Sequence, residues 1–320
     1  MNRSPDFPYL PKDFIETEEG LIFAVVSYGP QAGKVGCFLR YVRSGSGWQK
    51  VATEEANTLL AENYPQYLYH SQQFDAAFHA VSIECIVQHH RPEQVLIDLI
   101  RIEACDQIMR RLQRLIIILV RYGAGIHELG VTGSLLIGAQ KSESESDIDL
   151  VVYGRDEFHK IRSGLKQAVT EGALSLLDDA LMRDNFRRRL GELSYDDFSW
   201  HENRKFNKAV IDGTKFDIGM VDFQLKEDEN KQYKKQGVLT LVTRVIDDQF
   251  SFDFPARYSL NHDEISEVVV YTQTYVGQAK VGEKIEVSGA IECDVVTGQC
   301  RLIVGSSREA VGEYIKVINK

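Results

Sequence analysis

The feature that most constrains this chain is a short acidic strand. Asp147-Ile148-Asp149-Leu150 alternates acid with aliphatic, and Val151-Val152-Tyr153 continues it as a wholly apolar run ending at Gly154. In an extended strand, residues two apart project from one face. Asp147 and Asp149 therefore project together, while Ile148 and Leu150 go to the opposite, buried face. Two carboxylates held side by side call for a cation. Carboxylate oxygens suit Mg²⁺, which keeps waters and phosphate oxygens among its ligands.

A second element lies upstream. Gly133-Ser134 precedes the acidic strand with 12 residues between Ser134 and Asp147. A glycine lets the backbone approach a phosphate closely. The apolar run Leu135-Leu136-Ile137 is expected to start a helix, whose first amides favour phosphate. The two segments Val131-Thr132-Gly133-Ser134 and Ser146-Asp147-Ile148-Asp149-Leu150-Val151-Val152-Tyr153-Gly154 together resemble the signature of the DNA polymerase beta nucleotidyltransferase superfamily. That signature is Gly-Ser or Gly-Gly, a short gap, then Asp-hydrophobic-Asp/Glu-hydrophobic. The resemblance covers about residues 126–223. The longer context is similar to a mostly archaeal group of predicted nucleotidyltransferases over nearly the whole chain.

The resemblance implies a palm-like core and Mg²⁺ (or Mn²⁺). It also implies transfer of a nucleoside monophosphate from a triphosphate such as ATP to an acceptor hydroxyl, with release of pyrophosphate. It assigns catalytic and metal-binding roles to Asp147 and Asp149, and triphosphate binding to Gly133 and Ser134. A third carboxylate is expected on a later strand: Asp217, in Lys215-Phe216-Asp217-Ile218, is the first candidate and Asp222 the second.

Other charged and glycine-containing segments admit plainer readings. Arg204 and Lys205, with Lys208 and the aromatic neighbours Trp200 and Phe206, are candidates for binding a triphosphate or a polynucleotide backbone. Arg183 and Arg187–Arg189 read as a solvated helix face with Asp179 and Asp184 as partners. His89-His90 reads as a surface pair, not a metal site. Gly133, Gly138 and Lys141-Ser142 imitate a phosphate-binding P-loop, but the lysine comes two residues late.

The remaining pattern gives the organisation. The fold class is α+β: a central palm-like mixed sheet with helices, flanked by small β-rich N- and C-terminal domains. The expected parts are residues 1–75, 76–236 and 237–320, the last a small barrel or sandwich. Helices are expected over 93–122, 157–170, 174–190 and 308–318, and a polar loop over 141–146. The formal net charge is -10, and residues 1–100, with 7 Lys+Arg against 12 Asp+Glu, carry half of that excess. The N-terminal third is therefore the least suited to nucleic acid. RNA is nevertheless the favoured acceptor, from a barrel beside a transferase core; a protein or small molecule, or a nucleotide sensor without turnover, are the alternatives. Five cysteines without a Cys-x-x-Cys pair predict no disulfide framework, with Cys293 and Cys300 as thiols, and a reducing cytoplasm. No apolar run is long enough for a membrane.

Overall fold

The computed structural model describes residues 9–45, 47–140, 147–189, 191–222, 231–307 and 310–318. Among them three sheets and six α-helices give a mixed α+β architecture. The chain divides into two compact units. Unit 1 holds Met1–His70, Ala77–Leu176 and Asn207–Glu227; unit 2 holds Ser71–Ala76, Leu177–Phe206 and Asp228–Lys320. The sheets of the expected N-terminal and central parts thus share unit 1. The expected polar loop over 141–146 lies outside the described residues.

The first sheet of unit 1 comprises β1 (Phe14–Thr17), β2 (Leu21–Gln31), β3 (Lys34–Ser44), β4 (Gly47–Lys50), β5 (Leu68–Ser71), β6 (Ala76–Ser82) and β7 (Ile86–His90). Its order is β5-β6-β3-β2-β1-β7, with β4 on β3. The β2–β3 turn is tight, with Gln31 level with Lys34. Ala32 and Gly33 both take positive φ, 49° and 77°, the two-residue turn that matches strand twist. Helix α1 (Thr53–Asn63) packs Ala56 and Leu60 on a core that includes Phe23, Val25 and Val35.

The expected helix over 93–122 is two helices, α2 (Pro92–Arg101) and α3 (Gln107–Arg121). The break falls where the Asp106 side chain caps α3, accepting from the Met109 amide at 2.8 Å. The α3 residues Ile108, Met109, Leu112, Leu115, Ile116 and Leu119 are all buried, as their three- and four-residue spacing requires. The second sheet of unit 1 follows, from β8 (Leu129–Thr132) and β9 (Ile148–Tyr153). Helices α4 (Arg155–Thr170), α5 (Asp179–Arg189) and α6 (Tyr195–Lys205) precede β10 (Lys208–Ile211) and β11 (Thr214–Val221). The sheet order is β10-β11-β9-β8, with β9 and β11 parallel at its centre.

Unit 2 carries α5, α6 and the strands β12 (Tyr233–Asp247), β13 (Ala256–Leu260), β14 (Ile265–Val270), β15 (Lys284–Asp294), β16 (Cys300–Val304) and β17 (Tyr314–Val317). Their order is β12-β13-β14-β16-β15-β17, and a further β12–β15 pairing closes the ring. Two expectations are corrected here. Residues 314–317 form a strand rather than part of a helix. Ile315 and Val317 are buried while Tyr314 and Lys316 are half-buried, a period of two. Cys293 and Cys300 form a disulfide, because the β15–β16 hairpin pairs them in register with 4.0 Å between their Cα atoms.

Candidate functional site

The second sheet of unit 1 places the predicted carboxylates in successive rows across β9 and β11. The pairing of these parallel strands puts Asp217 level with Asp149, and Gly219 level with Val151. One step earlier, the Lys215 ammonium approaches the Asp147 carboxylate at 3.0 Å. The middle row extends to both edges, with Thr132 level with Asp149 and Lys208 level with Asp217. Alternation then separates the two sheet faces. Ile148, Leu150 and Val152 are buried on one. On the other, Val151, Tyr153 and Val221 cluster with Leu10 and Tyr28 from the N-terminal segment and β2.

Charge on this face is concentrated and only partly compensated. Burial raises the Asp149 carboxyl above its ordinary range, and the neighbouring Asp217 and Asp147 raise it further. Lys12 and Lys215 pull the other way. A carboxylate pushed up by two others is a place where a cation gains energy. The donor set suits a divalent ion, with Asp149 and Asp217 as the adjacent pair. Among the described residues, however, no three acidic, histidine or cysteine groups gather to hold a metal. Asp147 is turned onto Lys215.

Gly133 bears directly on this pair. It takes φ +66°, and a Cβ built on it would lie 2.3 Å from Asp149 Oδ2. The position therefore excludes any side chain on two counts: backbone conformation and contact with the carboxylate. Ser134 does not begin an α-helix. Gly133–Ile137 is a five-residue 3-10 turn closed at Gly138, so the expected helix N-terminus is absent at this point. The Ser134 carbonyl instead accepts from the Ala139 amide at 2.8 Å.

Sequence reasoning missed two contributors, both upstream of α2. The Lys12 carbonyl accepts from the Thr132 hydroxyl at 2.8 Å, and the end of the Lys12 side chain lies within contact distance of where a Cβ on Gly219 would stand. Tyr41 on β3 is buried, and Asp149 is among the charges that raise its phenol above the usual range, after desolvation. No local pattern marks either residue, because both arrive through pairing distant in sequence. His89 and His90 are not a bare surface pair. They lie on β7 beside β1, with Nε2 of His89 2.8 Å from the buried Asp13 carboxylate and Nε2 of His90 3.4 Å from Glu16.

The remaining candidates each have partners of their own. Asp222 follows the end of β11 and pairs with Arg155 at 2.9 Å. It is five positions beyond Asp217, so strand parity alone would send it to the other face. Arg204 and Lys205 belong to unit 2 and are engaged there. Arg204 stacks on Trp200 at 4.4 Å and bonds Glu283 at 2.5 Å. Lys205 is 1% exposed, with its ammonium 2.6 Å from Glu202 and 2.8 Å from the Thr274 carbonyl. Of that basic cluster only Lys208 lies level with a carboxylate of the site. Arg183 and Arg188 pair with Asp179 and Asp184, each at 2.8 Å.

Fold and site together define an α+β protein with an acidic pair at the centre of a small mixed sheet. The chain is 35% identical to "Uncharacterized protein MJ1086" of Methanocaldococcus jannaschii, over 96% of this chain and 98% of that protein. It belongs to the same family as that archaeal protein. No family model matches the chain, and no solved structure matches it. No described helix is long and apolar enough to cross a membrane.

Proposed function

We propose that the protein is a divalent-metal-dependent nucleotidyltransferase whose site is the face of the four-stranded sheet carrying Asp149 and Asp217. The observation that carries this reading is the register of β9 and β11, which sets the two carboxylates level, with Gly133 against one of them. Asp149 and Asp217 would hold Mg²⁺ or Mn²⁺, and Asp147 would join them by leaving Lys215. Such an ion, when bound, neutralises phosphate charge and favours attack by a hydroxyl on the α-phosphate. The chain's own residues supply the rest. Gly133 leaves room beside Asp149 for a phosphate to approach the backbone. Lys208, level with Asp217, adds positive charge on the same row. The palm-like assignment of this sheet belongs to the same proposal.

RNA remains the favoured acceptor, on the closed β-ring of unit 2, a form that many nucleic-acid readers share. A nucleotide sensor without turnover is the second reading, favoured by the Asp147–Lys215 ion pair, which holds one acidic side chain away from the pair.

The test is label transfer from the four α-labelled nucleoside triphosphates with Mg²⁺ or Mn²⁺. Total RNA, total protein and no acceptor are run in parallel, beside an Asp147→Ala/Asp149→Ala double variant. Label in one acceptor pool that disappears in the variant supports transfer and names the acceptor class. Metal-dependent nucleotide binding without label supports the sensor, and no nucleotide binding at all overturns both readings.

A further inference from the structure

Resting on the nucleotide site just described, we propose that Lys12 is a phosphate-binding residue of that site, its ammonium contacting the triphosphate held over Asp149 and Asp217. Three independent observations converge on it.

The first is placement. Lys12 precedes β1, yet its backbone is tied to both sheets of unit 1. Its amide donates to the Val25 carbonyl at 3.1 Å, and its carbonyl accepts from Thr132, the residue level with Asp149. From there the side chain crosses to β11. A Cβ built on Gly219 would lie 3.5 Å from Lys12 Cε and 3.9 Å from Nζ. Gly219 is two residues beyond Asp217, on the same sheet face. The ammonium is thus delivered to the carboxylate face from outside the sheet.

The second is backbone conformation. Lys12 takes φ +78°, a left-handed geometry that costs a lysine about 1–2 kcal/mol and a glycine nothing comparable. A glycine would serve the turn better, so the lysine is explained by its side chain rather than by the fold.

The third is the division of labour between the two lysines that act on Asp149. Lys215 is 6% exposed and held by Asp147 at 3.0 Å. Lys12 is half-buried, more exposed than Lys215, and carries its ammonium on a flexible four-carbon stem. When a divalent ion takes over compensation of the acidic pair, the Lys12 charge is better placed on phosphate oxygen, as a charge-assisted hydrogen bond.

The experiment uses the full chain, Mn²⁺ and inorganic tripolyphosphate, with Lys12→Gly, Lys12→Met and Lys12→Arg. Lys12→Gly keeps the left-handed turn without strain and so separates loss of the cation from loss of the fold. Mn²⁺ binding is followed by electron paramagnetic resonance, and tripolyphosphate binding by calorimetry at saturating Mn²⁺. Expected for Lys12→Gly is Mn²⁺ affinity equal to or above wild type, with tripolyphosphate affinity reduced about tenfold or more. Lys12→Arg should recover most of the loss. Two results overturn the inference alone: unchanged tripolyphosphate affinity in Lys12→Gly, or a parallel loss of Mn²⁺ and tripolyphosphate affinity, which marks a structural role. Wild-type protein that binds no tripolyphosphate with Mn²⁺ overturns the inference together with the nucleotide site itself.

Discussion

Asp217 lies level with Asp149 on adjacent parallel strands, and each carboxylate is the other's nearest acidic neighbour along that row. Asp217 is the largest acidic contributor to the upward shift of the Asp149 carboxyl, after desolvation. Relief of this repulsion is available from a cation or from neutralising one partner. Asp149→Asn is therefore expected to unfold at a higher temperature than wild type in metal-free buffer. Mn²⁺ at a hundredfold excess over its Kd should stabilise wild type by about 2.7 kcal/mol and leave Asp149→Asn and Asp217→Asn unmoved. Differential scanning calorimetry with and without Mn²⁺ reads both effects. An equal Mn²⁺ response in all three proteins would remove the pair as ligands.

Gly133 and Gly138 provide a matched comparison. Both take left-handed backbone, φ +66° and +64°, but a Cβ at 133 meets Asp149 Oδ2 whereas one at 138 has nothing within 4 Å. Alanine at either position is expected to cost about 1–2 kcal/mol from backbone conformation. Gly133→Ala must in addition displace the Asp149 carboxylate. It should weaken Mn²⁺ binding about tenfold, whereas Gly138→Ala should keep wild-type affinity. Mn²⁺ titration of the two variants, with urea unfolding to compare their stabilities, checks this.

Lys205 should behave as a structural residue of unit 2. Its ammonium is buried against the Glu202 carboxylate, itself 4% exposed in its side chain. Removing one member of such a pair leaves a buried charge unmatched. Lys205→Met is expected to cost about 3–5 kcal/mol in urea unfolding, with tripolyphosphate affinity of the folded fraction unchanged. A large loss of affinity without loss of stability would return Lys205 to the ligand site.

These contrasts show what the amino-acid pattern carries. Asp147 and Asp149 were legible because a period of two is a local property, whereas Asp217 was singled out only through the resemblance, which calls for a third carboxylate on a later strand. Gly133 was legible as a glycine that lets a phosphate approach the backbone, but its contact with Asp149 was not, and the helix expected of the run after it is a 3-10 turn. Leu135 and Leu136 are buried, and the apolar run they form is spent on packing in a 3-10 turn. Lys12 was not legible. Its role depends on a Thr132 hydrogen bond and on a bare Gly219 across the sheet, and no spacing rule links those positions. For Arg204 and Lys205 the sequence displays the charge but not the acidic partners, Glu283 and Glu202, that fold onto it. The strand over 314–317 was missed for a related reason. A short alternating run after Gly312 is ambiguous until β15 is present to pair with it.

His79 gives a pH test confined to unit 1. It lies on β6, 2% exposed, with Nδ1 accepting from the Leu39 amide at 2.9 Å. That acceptor must be the unprotonated nitrogen, so Nε2–H donates to Asn57 Oδ1 at 2.8 Å. Desolvation lowers its pKa from 6.5 to about 4. The folded state therefore binds the proton more weakly than the unfolded chain. The stability associated with the neutral ring is fully present above pH 6.5 and is lost as pH falls through the interval down to about 4, amounting to about 3 kcal/mol. The two tryptophans, Trp48 on β4 and Trp200 on α6, fall in different units. In a Trp200→Phe background, Trp48 is the sole tryptophan, and its fluorescence follows urea unfolding from within unit 1. Stability measured this way should drop between pH 6.5 and 4. His79→Leu, less stable at pH 7 because the Leu39 amide loses its acceptor, should show a much flatter profile over the same interval. Parallel profiles in the two proteins would assign the acid sensitivity to other groups.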